Sequence, residues 1–192
     1  MSKCSSASNV NTVNVLLSGG IDSAALLGFY LRNRFKVRAL FVNFGQPAAE
    51  QELRAAKSLS KYYRVPLSIF TASCDVVFSP GEISGRNAFL IFAALLFSRG
   101  RSCIIAIGIH AGTPYFDCRE GFIKSSQTIV DGYAAGSIRI AAPFLNWNKR
   151  MIWEFARKCN LPLNLTYSCE AGCSRPCGSC LSCKDREALD AL

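Results

Sequence analysis

Apolar and polar positions fall into two alternating regimes along this chain. Short runs rich in Val, Ile, Leu and Phe occur at Val13–Leu17, Val37–Phe44, Leu67–Ala72, Ile104–Ile109 and Ile138–Phe144. Runs of that length, bounded by Gly, Pro and polar residues, predict buried β-strands. Helical patterns lie between them. One spans about Ser23–Asn33, and Ala48–Arg64 carries an apolar stripe through Leu53, Ala56, Leu59 and Tyr63 before Pro66. Asn87–Arg99 is apolar on nearly all sides and reads as a buried helix; Phe116–Tyr133 and Lys149–Cys159, the latter capped by Asn148, complete the set. Repeated strand–helix units predict an α/β fold, a three-layer doubly wound parallel sheet. Right-handed crossovers bring every strand-to-helix turn to one edge, and a ligand site belongs along that carboxyl edge.

Composition narrows the class. Of 192 residues, 50% are hydrophobic, which argues against disorder. The longest apolar run, Ala88–Phe97, has ten residues, against about 20 for a membrane span. The polar opening MSKCSSASNVNTVN lacks the apolar stretch of a signal peptide, so a cytoplasmic protein with no membrane partner is expected. We expect a flexible N-terminus at 1–12, a main domain at 13–165 and a separate segment at 166–192. The formal charge of +9 calls for an anionic partner, a nucleotide or a nucleic acid. The cations are scattered, as at Arg32, Arg34, Lys36 and Arg38, and their pattern selects neither.

The turn after the first strand carries the first chemistry. Ser18-Gly19-Gly20-Ile21-Asp22-Ser23 sits between a strand and a helix. Two glycines permit positive φ and close backbone approach, so successive N–H groups can point into one concavity. Two hydroxyls and a helix N-terminus add donors and partial positive charge. A phosphate or pyrophosphate fits there. Beside it, Asp22 has to order the loop, hold a Mg²⁺ or cap the helix. With no Gly-Lys-Ser/Thr following, this is not a Walker A loop. The sequence resembles the signature of the PP-loop ATP pyrophosphatases.

The second chemistry is in the tail. Five of the ten cysteines crowd between Cys169 and Cys183. Reducing conditions in the cytosol disfavour disulfides, and Cys177, Cys180 and Cys183 have the spacing of metal ligands. Cys169 is the preferred fourth ligand and Cys173 its competitor. A structural Zn²⁺ is expected, with an iron–sulfur cluster as the alternative, and Lys184, Arg186 and Arg175 are candidates to stabilise the thiolates.

Loop and tail together resemble the 7-cyano-7-deazaguanine synthase (QueC) family, over residues 13 to 188. Further matches are Phe44-Gly45-Gln46 after the second strand, Glu50 and Glu52 opening the next helix, and Ser84-Gly85-Arg86-Asn87 before the apolar helix. Tyr115-Phe116-Asp117-Cys118-Arg119 with Phe122, and the ending Cys177-Gly178-Ser179-Cys180, Cys183, Arg186, complete the likeness. The resemblance implies an adenine nucleotide alpha hydrolase-like fold and a two-stage use of ATP with Mg²⁺. The carboxylate of 7-carboxy-7-deazaguanine is adenylated, ammonia displaces AMP to give the amide, and a second ATP drives dehydration to the nitrile. It implies catalytic roles for Asp22, Ser23, Arg86 and Asp117. Leu17, Ser18, Gly19, Gly20, Ile21, Asp22, Ser23, Gly45, Gln46, Arg86 and Asn87 are expected to bind nucleotide. For Asp117, an ordinary helix start is the competing reading.

The sequence departs from the family pattern in being short between Ala72 and Glu82, and in Pro47, Asn43 and the loop Gly108–Thr113. His110, the sole histidine, is either a base, a substrate contact or a structural hydrogen-bonding residue. A homodimer is expected. The alternatives for function are a related enzyme that transfers the activated deazaguanine to another amine, such as a protein, and a tRNA-modifying PP-loop enzyme; the chain has no separate RNA-binding domain.

Overall fold

A computed structural model describes residues 11–73 and 75–191. The expectation for 1–12 falls outside these residues except at its last two positions, and Thr12 already belongs to a strand.

Five parallel strands form one sheet: β1 (Thr12–Leu16), β2 (Lys36–Asn43), β3 (Leu67–Thr71), β4 (Cys103–Ala106) and β5 (Ile138–Ala141), in the order β3-β2-β1-β4-β5. Among the described residues six α-helices accompany them: α1 (Ile21–Arg32), α2 (Ala49–Tyr63), α3 (Arg86–Ser98), α4 (Glu120–Ala134), α5 (Lys149–Lys158) and α6 (Leu181–Asp190). Alternation along the strands sorts the core into two layers. Val13, Val15 and Leu17 pack with α1, α2 and α5, whereas Leu16, Leu40 and Val42 pack with α3 and α4. This is the expected three-layer, doubly wound architecture. The strand order reverses between β1 and β4, so their carboxyl ends diverge and open a crevice there.

Three expectations are corrected. The fourth and fifth strands are shorter than their apolar runs. Residue pairing ends at Ala106 and Ala141; the Ile107 amide makes one last bond to the Ala141 carbonyl at 3.0 Å, and Ile109 stays buried beyond the strand, because apolar sequence records burial, not laddering. The helix expected over Phe116–Tyr133 is a 3₁₀ turn at Phe116–Cys118 and then α4, interrupted where Arg119 adopts an extended conformation. Finally, α3 is only half buried. Ile91, Ala93 and Ala94 meet the sheet, while Phe89 and Leu96 are exposed, Leu96 by 71%. No described element covers that outer face.

Candidate active site

The loop after β1 is held open from within. Gly19 has φ +88°, and a Cβ there would lie 2.7 Å from the Glu52 carbonyl oxygen, so only glycine lets the loop pass this close to α2. The buried Ser23 hydroxyl donates to the Gly20 carbonyl at 3.0 Å and accepts from the Gly19 amide at 3.1 Å. Ser18 Oγ donates to Ser23 Oγ at 3.2 Å. Leu17 anchors the approach through its amide to the Leu40 carbonyl, 2.9 Å. Gly20 occupies the N-cap position of α1 in an extended conformation, with no side chain capping the first turn. The amides there remain available to an anion, with the helix dipole behind them.

Asp22 does not cap its helix. Its Oδ2 accepts from Lys149 Nζ at 2.5 Å, while Oδ1 is buried without a partner among the described residues. Lys149 opens α5, immediately after the N-cap Asn148, whose side chain accepts from the Met151 amide at 2.9 Å. Lys149 is not among the site residues expected from the sequence. The available signal was its place: a cation in the first turn of a helix opposes the dipole, which marks it as held there for another reason. His110 follows β4, with Nδ1 2.6 Å from the Ala111 carbonyl and Nε2 3.8 Å from Asp22 Oδ2.

The remaining predicted residues divide into two groups. Gln46 donates to Glu52 Oε2 at 2.8 Å and to the Val42 carbonyl at 3.2 Å, and its own Oε1 accepts from the Phe44 amide at 3.0 Å. It clamps the end of β2 to α2. Desolvation pushes the Glu52 carboxyl above the usual range, against the lowering effects of the Gln46 amide and the Arg86 charge. Arg86 and Asn87 both border the cleft. Asn87 is 3% exposed and is engaged by Asp117, whose Oδ2 accepts from the Asn87 amide at 3.3 Å. Asp117 thus holds the start of α3, thirty positions earlier, and does not border the cleft. Nor does Gly45, which makes its turn at φ +87°.

The cleft between these elements has a volume of about 720 Å³, large enough for a nucleotide and a second small molecule. Its walls include Tyr167, Ser168, Glu170, Ser182 and Asp185 from the tail. The tail is therefore part of the site. The Tyr167 amide donates to the Gly19 carbonyl at 3.0 Å. Gly172, at φ +72°, passes so near Pro47 that a Cβ would lie 2.2 Å from the Pro47 carbonyl oxygen.

The four sulfurs of Cys169, Cys177, Cys180 and Cys183 lie within 4.8 Å of one another, and the Cys177–Cys183 separation is 3.9 Å. Tetrahedral Zn–S bonds of about 2.3 Å place sulfurs roughly 3.8 Å apart, so these residues fit a single zinc ion. An iron–sulfur cage would hold them farther apart. Cys173 is exposed and offers only its carbonyl, to the Tyr167 hydroxyl at 2.6 Å, which leaves Cys169 as the fourth ligand. Hydrogen bonds from the Ser179 hydroxyl and the Cys180 and Ser179 amides pull the Cys177 thiol down to about 5. Burial pushes Cys183 up to about 12; in so tight a group the protons belong to the cluster as a whole. Arg186, expected beside the thiolates, instead anchors the tail: it donates to Thr166 Oγ1 at 2.9 Å and lies 5.3 Å over the Trp153 ring.

Comparison with known proteins agrees with this architecture. The model of the family described as "Queuosine biosynthesis protein QueC" matches residues 12–81 and 77–190. A 7-cyano-7-deazaguanine synthase from Aquifex aeolicus (strain VF5) is 33% identical over 207 aligned positions, covering 90% of this chain and 93% of its own. One from Prochlorococcus marinus (strain NATL2A) is 31% identical, covering 92% of each. Among solved structures, NMN synthetase from Francisella tularensis superposes with a TM-score of 0.54 at 15% identity, over 94% of this chain and 75% of that one. The U34-tRNA thiolase NcsA from Methanococcus maripaludis, determined with its [4Fe-4S] cluster, gives 0.52 at 15%, over 94% and 64%. These two likenesses concern the fold.

Proposed function

This chain belongs to the QueC family of queuosine biosynthesis proteins, and we propose that it is an ATP-dependent carbon–nitrogen ligase that makes 7-cyano-7-deazaguanine from 7-carboxy-7-deazaguanine and ammonia. The observation that carries the reading is the juxtaposition of the open glycine loop, the uncapped start of α1 and Lys149 at the switch point of the sheet.

The substrate carboxylate attacks the α-phosphorus of ATP, and the bond to pyrophosphate breaks. Charge that accumulates on the departing pyrophosphate meets the uncapped amides at the α1 N-terminus and the Lys149 ammonium. Donors fixed in advance stabilise such charge without reorganising. Mg²⁺ enters with ATP as part of that substrate. Ser23 keeps the loop in shape, and Gln46, Glu52, Arg86 and Asn87 border the cleft, with the Arg86 charge reaching the Glu52 carboxyl. Asp117 contributes by holding Asn87. Ammonia then displaces AMP from the acyl-adenylate, and a second ATP activates the amide for dehydration. Cys169, Cys177, Cys180 and Cys183 would hold a zinc ion that fixes the tail as a wall of the cleft, and so closed a thiolate set would leave the ion outside the chemistry.

One finer reading has its own support. The apolar outer faces of α3 and α4, with Leu96 71% and Tyr133 79% exposed, support a homodimer. The test is a turnover assay with ATP, Mg²⁺, ammonia and 7-carboxy-7-deazaguanine, following AMP and the deazapurines by mass spectrometry. AMP with nitrile is the expected result. AMP with adenylate alone would move the search to another amine.

A further inference from the structure

The reaction proposed above has a proton to dispose of. An amine that displaces AMP forms a C–N bond, the C–O bond to the phosphate breaks with its electron pair leaving on AMP, and the nitrogen sheds a proton. At neutral pH ammonia exists mostly as ammonium, which must lose a proton before it attacks at all. The loop, the arginine and the lysine described so far supply positive charge and donors, and none of them accepts that proton.

His110 is arranged to do so. Gly108, two residues before it, lies against the start of α1, where a Cβ would come 3.3 Å from the Asp22 carbonyl carbon. This approach sets the loop after β4 directly over the glycine loop. The Ala111 carbonyl, 2.6 Å from Nδ1, accepts only a proton-bearing nitrogen, so the neutral ring keeps its hydrogen on Nδ1. Nε2 is then a lone pair. His110 borders the cleft, and its Nε2 stands 3.8 Å from Asp22 Oδ2, beyond hydrogen-bond distance. The charged groups facing this ring are Asp22 from α1 and Lys149 from α5, already joined to each other.

We propose that His110 Nε2 is the general base of the amination step, taking the proton from the nitrogen that displaces AMP. This rests on the ligase reading, and the test separates the two. Exchange of labelled pyrophosphate into ATP, dependent on 7-carboxy-7-deazaguanine, reports adenylation and involves no amine. If the wild-type protein shows no exchange, the ligase reading itself fails. His110→Gln preserves a donor toward the Ala111 carbonyl while removing the base. The expected result is exchange within about threefold of wild type and amide formation from ammonia slowed by about 10²-fold. With hydroxylamine, which is already neutral at the same pH and gives up its proton to water, the defect should shrink to a few-fold. An equal loss with both nucleophiles, or a matching loss of exchange, overturns the proposal. Where His110→Gln misfolds, His110→Gly with and without added imidazole gives the same decision: rescue of amination by imidazole supports the base, and absence of rescue in a folded variant refutes it.

Discussion

Lys149 Nζ and Asp22 Oδ2 meet at 2.5 Å, closing an ion pair between residues 127 positions apart. The pair resolves an electrostatic conflict. Lys149 is in the first turn of α5 and faces the start of α1, so two positive helix ends surround one ammonium. Asp22 is the carboxylate that holds it there. A pyrophosphate arriving at the glycine loop is a stronger anion and competes for the same cation.

Removing that cation should therefore damage chemistry more than folding. Lys149→Met is expected to lower adenylation, read as pyrophosphate exchange, by about 10²–10³-fold, the scale of losing one preorganised charged donor. Its melting temperature should remain within a few degrees, because the pair is partly open to water, at 30% and 23% side-chain exposure. A large drop in melting temperature with retained exchange would make the pair structural.

The zinc assignment leads to a different expectation. Chelation, or substitution of Cys177 or Cys180 by Ser, removes the point that fixes the tail, and binding energy of a structural zinc is folding energy. The tail also borders the cleft, so activity and thermal stability should fall together, and metal analysis should give one zinc per chain in the wild type. Cys173→Ser should retain both. A stable, active Cys177→Ser protein without metal would refute the assignment.

How much of this was legible beforehand depended on the range over which each signal acts. The apolar runs at Val13–Leu17 and Val37–Phe44 announced the buried strands β1 and β2, since a short apolar run between turn residues is a local signal. The glycine loop and the four cysteines were equally readable, because each needs a short, fixed spacing. The ends of β4 and β5 were not, because pairing depends on where neighbouring strands stop. Lys149 was missed because only the folded chain brings it to Asp22. Asp117 was placed at the site, yet its carboxylate starts a helix thirty positions earlier. The outer face of α3 was expected to be buried because an apolar sequence does not reveal whether the same chain supplies its cover.

The glycine loop offers a comparison between two residues of similar φ. At Gly19 a methyl group would meet the Glu52 carbonyl oxygen at 2.7 Å and the Ala55 Cβ at 2.8 Å, whereas at Gly45 nothing lies within 4 Å. Gly19→Ala should cost about 2–3 kcal/mol of stability, strain and collision together, or roughly 5–10 °C in melting temperature, and should depress exchange by displacing the loop. Gly45→Ala carries only the conformational cost of about 1 kcal/mol and should leave exchange intact. Equal effects at the two positions would show that the approach of the loop to α2 is looser than described.

Glu52 is expected to stabilise the protein when its charge is removed. Desolvation raises its pKa in the folded chain, so the folded state holds this proton more tightly than the unfolded state does. Stability from this group is complete below the ordinary carboxylate range and is lost as pH rises through the raised value. Glu52→Gln keeps an oxygen to accept from Gln46 Nε2, now 2.8 Å from the carboxylate, and carries no charge at any pH. Its melting temperature should exceed that of the wild type at pH 7, and the difference should vanish near pH 4. The scale is about 2–4 °C for each kcal/mol relieved in a chain of this size. Thermal melts of both proteins across that range decide the matter: a variant less stable at pH 7 would mean that the Arg86 charge and the Gln46 amide outweigh the cost of burial.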